Sequence, residues 1–256
     1  MSKSIFVLCL MISLLSVQCS SPAAEQDASA QQDAEPEPDS YAPFESASIR
    51  FEQNATDGDF EVVMELTGAD EGLTRLKVVS PAGDLLVDFT SHGDESMGMR
   101  KFVLESPEPD DIESMEKGFP EGAYQFMGID TEDNGFKGEA TLSHQLPATA
   151  SFLYPEAEAE DVPIEGMVVK WSPVEGISAY MVEVEAEEEG MNDSITATLP
   201  GSAQSFAVPD GFLQPGAEYK VAIGTVGAGG NRSFVEATFT TAGGMEGAGE
   251  AEEEDE

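Results

Sequence analysis

From residue 45 to residue 241 the chain is written in short alternations of apolar and polar residues, each stopped by a turn, with no convincing helical period. A period of two sends successive side chains to opposite faces of an extended backbone. Each run can therefore bury one face only against a second sheet. The first half carries seven such runs: SASIRF, FEVVMEL, LTRLKVV, LLVDF, RKFVLES, AYQFMGI and GEATLSH. Turn chemistry separates them, with DGD at 57–59, PAGD at 81–84 and EDNG at 132–135. The acidic stretch 108–118 reads equally as a short helical turn or as a loop.

Seven short strands in about a hundred residues suggest an immunoglobulin-like antiparallel sandwich over residues 45–146. In the second half, VVKW places Val169 and Trp171 on one face, Pro173 and Gly176 turn the chain, and Tyr180, Val182 and Val184 alternate along the next strand. Residues 205–209 form a short strand, LQPGAEY follows, then a Gly-rich turn at 227–230 and the closing strand FVEATFTT. This order and spacing resemble a fibronectin type III domain. The resemblance implies that Trp171 and Tyr180 pack between the sheets. It also implies that Leu213 and Tyr219 form a tyrosine corner, whose hydroxyl closes a sheet-to-sheet crossing on the backbone. Ala217 stands where that family often has threonine. The segment PEGAYQFMG with GEATLSHQLPA resembles stretches that precede such domains in exported bacterial proteins, which implies no activity. The fold class expected is all-β: two tandem antiparallel β-sandwiches, immunoglobulin-like at 45–146 and fibronectin type III-like at 147–242. The connection LPATASFLYP runs into an acidic loop, EAEAEDVP, and such short proline-marked joints predict end-to-end domains with modest relative motion.

Outside these units the chain changes character. Lys3 and the apolar run from residue 5 to residue 17 read as an export signal over 1–19, too short for a spanning helix. Cys9 lies within it. Cys19, in LLSVQCSS, resembles the acceptor of a bacterial lipobox and is the lipidation candidate, although Gln18 replaces a small residue and Leu15 lies one position too far away. With no cysteine pair left, the body must be held by its core rather than by disulfides. Residues 20–44 are expected to form a disordered linker and 243–256 a disordered acidic tail, since neither can bury enough apolar surface to offset its ordering entropy.

Fifty-one acidic residues against eleven basic ones give a net charge of −40. Such a chain repels phosphate backbones and anionic headgroups, so nucleic acid is excluded as a partner, and a membrane is reached only through a lipid on Cys19. His92 in SHGDES sits among Ser91, Asp94 and Ser96, but no GxSxG elbow supports a hydrolase, and His144 reads as a half-buried residue closing a strand. No cofactor is implied. Calcium is the one metal with a case: Asp130, Glu132 and Asn134 alternate as in an oxygen-ligand loop with Gly135 at the turn. The linker carboxylates Glu156, Glu158, Glu160 and Asp161 could share that ion. Against this, Thr141 replaces the closing Glu, so a plain hairpin turn is the stronger reading. Asn54, Asn192 and Asn231 head N-x-S/T sequons. The loop 227–232 corresponds to the family's main recognition loop and lacks an Arg-Gly-Asp triplet.

With no acid–base, nucleophile or metal set, the sequence predicts a non-catalytic exported binding or scaffold protein, secreted, periplasmic or at the cell envelope, meeting a protein or polysaccharide ligand. The rival expectation is an accessory protein for extracellular polysaccharide or substrate handling beside a separate enzyme. A planar row of exposed aromatics would favour it.

Overall fold

A computed structural model describes residues 38, 40–68, 70–91, 97–109, 111–187 and 193–243. Along the first half run β1 (Tyr41–Pro43), β2 (Ser46–Asn54), β3 (Asp59–Thr67), β4 (Leu73–Val79), β5 (Leu85–Thr90), β6 (Lys101–Glu105), the short helix α1 (Ile112–Gly118), β7 (Gly122–Asp130) and β8 (Gly135–Leu142). The second half holds β9 (Phe152–Tyr154), β10 (Ala159–Val162), β11 (Val168–Trp171), β12 (Ile177–Ala186), β13 (Ser194–Pro200), β14 (Ser205–Ala207), β15 (Glu218–Gly227) and β16 (Arg232–Thr241). The protein is all-β sandwich, as expected.

Both halves share one topology. In the first, β2-β3-β6 faces β8-β7-β4-β5; in the second, β9-β11-β14 faces β16-β15-β12-β13. Each half thus sets three strands against four in the same chain order, the arrangement of the fibronectin type III fold. Each also lays an extra strand parallel to the last strand of its four-stranded sheet, β1 on β8 and β10 on β16.

The alternation read in the sequence fills the two cores. In β4, Leu76 and Val78 are buried while Arg75 and Lys77 stay partly exposed; in β7, Tyr124 and Phe126 face inward around exposed Gln125. With Phe51, Val62, Met64, Leu66 and Leu142 they build the first core. The second gathers Trp171, Tyr180, Val182, Val184, Tyr219, Val221, Ile223 and Phe239. The acidic stretch 108–118 resolves as α1, capped by Asp111, whose carboxylate accepts from the Ser114 N–H at 2.7 Å, and pinned by buried Met115.

Three features differ from the sequence expectation. The linker expected through residue 44 gives way earlier, because β1 pairs with β8 and Phe44 is buried in the first core. Gly128 and Gly138 make room for that ring: a Cβ on either would stand 3.0 Å from its atoms. The acidic loop at 156–163 contains β10, whose carboxylates face water while its backbone pairs with β16. Strand β13 at Ser194–Pro200 is additional to the expected strands.

The connection between the cores also differs from an end-to-end joint. Strand β16 pairs in parallel with β2, Arg232 opposite Glu52 through Phe234 opposite Asn54, while its far end takes β10. One sheet therefore runs β13-β12-β15-β16-β2-β3-β6 through both halves.

Candidate functional site at the junction of the two sandwiches

The junction is built on alternate side chains of β16. Asn231, 3% exposed, stands at its threshold. Its Oδ1 accepts from the Phe51 N–H of β2 at 2.8 Å, and its Nδ2 donates to the carbonyls of Ser143 at 2.7 Å and Gln145 at 3.0 Å. One amide thus ties the last sheet to the first strand and to the connecting segment. Two residues on, the Ser233 hydroxyl donates to the Pro147 carbonyl at 2.7 Å and accepts from Gln53 Nε2 at 2.8 Å. From β15, Thr225 Oγ1 donates to the Ala148 carbonyl at 2.8 Å. Backbone bonds extend the seam, with the Ala55 N–H donating to the Phe234 carbonyl and the Glu236 N–H to Thr56 Oγ1, each at 2.8 Å.

On the other face of these strands lies a charge network. Glu52 accepts from Arg50 and, at 3.0 Å, from Arg232; Arg50 also donates to Glu65 at 2.6 Å. Burial lowers the Arg232 pKa, and the neighbouring Glu52 works against that fall. Each sandwich contributes an arginine, so the carboxylate of Glu52 is shared across the seam.

Beside the network lies a shallow cleft of about 280 Å³ whose lining includes Glu52, Asp59, Glu61, Glu108, Glu183 and Glu236. Glu61 feels this crowd. Burial, then the charges of Glu52, Glu105 and Glu108, raise its pKa against the opposing pull of Arg50. A carboxyl whose folded pKa exceeds its unfolded one carries no penalty below both values; the penalty grows as pH rises through the folded value. Glu61→Gln is therefore expected to raise the melting temperature at pH 7 and to leave it unchanged near about pH 3. The gain is a few tenths of a kcal/mol at most, because the half-exposed group is screened by solvent. Thermal denaturation at the two pH values measures it.

The other residues singled out in the sequence lie elsewhere. Trp171, Tyr180, Leu213 and Tyr219 are all buried in the second core. Trp171 packs on Tyr180 with ring centroids 5.2 Å apart, and its Nε1–H donates to the Ala203 carbonyl at 3.1 Å. The Tyr180 hydroxyl accepts from the Val174 N–H at 2.7 Å. At the corner, the Tyr219 hydroxyl accepts from the Gln214 N–H at 2.9 Å, and the ring stacks on Phe239 at 5.7 Å. A second tyrosine, Tyr124 of the PEGAYQFMG segment, does related work in the first sandwich: its hydroxyl donates to the Pro120 carbonyl at 2.9 Å. Burial pushes its pKa up to about 12.

The oxygen-rich hairpin is structural. Asp130 is 1% exposed, and its Oδ1 accepts from the N–H groups of Glu132 and Asn134 while Oδ2 accepts from Asn134 Nδ2. The carboxylate closes its own turn, and Glu132 points to solvent. Glu156, Glu158, Glu160 and Asp161 are exposed, and among the described residues no three acidic, His or Cys side chains gather to hold a metal ion. The linker carboxylates are thus not gathered with the Asp130 hairpin among the described residues. His144 is partly buried; its Nε2 lies 2.8 Å from the Phe119 carbonyl, and its ring meets the edge of Phe51. Asn54 is held within its turn by Asp57 and the Thr56 N–H, and Asn231, with its amide spent at the seam, is not an open glycan acceptor. The loop after β15 begins against the connection, with the Cβ of Pro147 3.8 Å from the position a Gly227 Cβ would take, and exposes Ala228 and Gly229 at its tip. Cys19, His92, Asp94, Ser96 and Asn192 lie outside the described residues. No helix among the described residues is long and apolar enough to cross a membrane.

No family model matches the chain, and no curated protein matches it. Among solved structures, a fibronectin type III domain of human collagen alpha-1(XX) is 25% identical, covering 40% of this chain and 89% of that one, at a TM-score of 0.29. Two fibronectin type III domains of chicken tenascin are 16% identical over 75% of this chain and 97% of theirs, also at 0.29. The fibronectin(III)-like modules of Clostridium thermocellum CbhA are 9% identical over 80% and 97%, at 0.32. Likenesses of this size carry no weight beside the strand order, on which the fold assignment rests.

Proposed function

We propose that the chain is a non-catalytic, exported binding or scaffold protein of the cell envelope, whose two sandwiches act as one stiff spacer. The observation behind this reading is the shared sheet across the junction, fastened by Asn231, Ser233 and the Arg50–Glu52–Arg232 network. The polar side chains at this junction bond to one another and to backbone, as structural members do. The described residues supply no acid–base pair facing a nucleophile. The polysaccharide-accessory reading has less support, because the large exposed apolar residues described are Leu, Met, Val and Ile, with no aromatic among them. Tyr41 is covered by Lys137, whose Nζ lies 3.8 Å over its ring.

Cell fractionation joined to a substrate panel tests the proposal. The full chain should sediment with the envelope or leave with the exported fraction, and should turn over no ester, glycoside, peptide or phosphoester above buffer. Turnover that survives repurification would sink it. Retention on a glycan array without turnover would favour the accessory reading.

A further inference from the structure

The shared sheet has two outer edges, β13 and β6, and β6 carries a pattern that fits one partner. In the antiparallel pair β3–β6, Leu66 stands opposite Phe102 and Met64 opposite Leu104; Gly68 donates to Arg100, and Ser106 donates to Val62. Backbone groups alternate in direction along such a strand, so those of Phe102 and Leu104 face β3. Those of Lys101, Val103 and Glu105 face away from it. The side chains of the same three residues share the solvent face, and Val103 is 47% exposed. Neither Lys101 nor Glu105 forms an ion pair with the described residues.

We infer that β6 is the contact through which two copies of this chain pair antiparallel, edge to edge, about a two-fold axis at Val103. Lys101 of one copy then lies opposite Glu105 of the other, and the exchange is reciprocal, as an isologous interface requires. Val103 meets Val103, and each facing pair exchanges its N–H and C=O bonds in a narrow, hydrogen-bonded register. The charge order along the strand, cation first and anion last, makes this register self-complementary. On the inner face Phe102 meets Leu104, close to Phe89, whose ring sits edge-on to Phe102 with centroids 5.3 Å apart.

The remaining edges lack this property. In β5 the Ser91 N–H donates to the Thr74 carbonyl, so by alternation Phe89 and Val87 turn their backbone groups to β4 and Asp88 and Thr90 turn theirs outward; self-pairing there would set Asp88 against Asp88. Such a charge is a usual guard on an open edge. Strand β13 ends on Pro200, which has no N–H to give, and β1, β9 and β14 are three residues each.

Sedimentation equilibrium of the full chain tests the pairing. A protein concentration of about 100 µM and about 1 M NaCl suit it, because the screening length is then about 3 Å and the net charge of −40 no longer separates the copies. A dimer is expected. Lys101→Glu and Glu105→Lys should each weaken it severalfold, since each converts two facing ion pairs into like-charge pairs at a contact distance of about one screening length. The combined swap should restore it. Val103→Pro should abolish it with the melting temperature little changed, because the lost N–H points away from β3 and serves no bond among the described residues. A monomer under these conditions overturns the proposal. So does a dimer that tolerates Val103→Pro, or single charge variants that the double swap does not rescue.

Discussion

Asn231→Ala is expected to cost the protein about 2–5 kcal/mol, because it strands the Phe51 N–H and the carbonyls of Ser143 and Gln145 inside the junction. The range spans complete loss of those bonds and partial repair by an entering water. For a chain of this size each kcal/mol moves the midpoint by about 2–4 °C, so the drop should approach or exceed about 5 °C. Its form matters as much as its size. With the tie intact the two cores should melt in one calorimetric transition, and without it the endotherm should divide in two. Asn231→Asp should be at least as harmful, since it sets a carboxyl oxygen against two carbonyls. A single, unshifted transition in Asn231→Ala would show that Asn231 is not what couples the cores.

Trp171→Ala should cost about 3–5 kcal/mol, the usual range for emptying a large aromatic site. Trp171 is fully buried, sits against Tyr180, and alone among the described side chains donates to the Ala203 carbonyl. The damage should fall on the second core, so differential scanning calorimetry with circular dichroism should show that unit unfolding first. Trp171→Phe keeps most of the ring and loses the donor, and should cost less than half as much. Equal losses for the two variants would mean that the hydrogen bond, rather than ring volume, dominates the site.

Much of the fold is legible in the residues because burial writes itself as alternation. Leu76 and Val78 between Arg75 and Lys77, or Val182 and Val184 between glutamates, declare both the strand and its inner face. Strands that exist for reasons other than burial leave no such mark. Within SITATLP at β13 the side chains alternate only between exposed and half-buried, so the hydrophobic contrast is weak. AEDV at β10 is a strand because β16 offers its backbone a partner, which composition cannot reveal. The junction was hidden for a further reason. Asn231 reads as a sequon in the chain, whereas its partner on β2 lies 180 residues away and those on the connection more than 80. The Asp130 hairpin misleads the other way, since oxygens at alternate positions suit a bound cation and a self-closed turn equally well. The repeated strand order of the two halves rests on pairings between residues distant in the chain, which local alternation does not encode.

The pairing of β16 with β2 also sets a timetable. On a ribosome the N-terminal sandwich can collapse long before residue 232 has left the exit tunnel, yet one margin of β2 stays bare until the closing strand arrives. Newly made chains therefore pass through an interval in which a neighbour's ribbon could occupy that vacancy, and slow translation lengthens it.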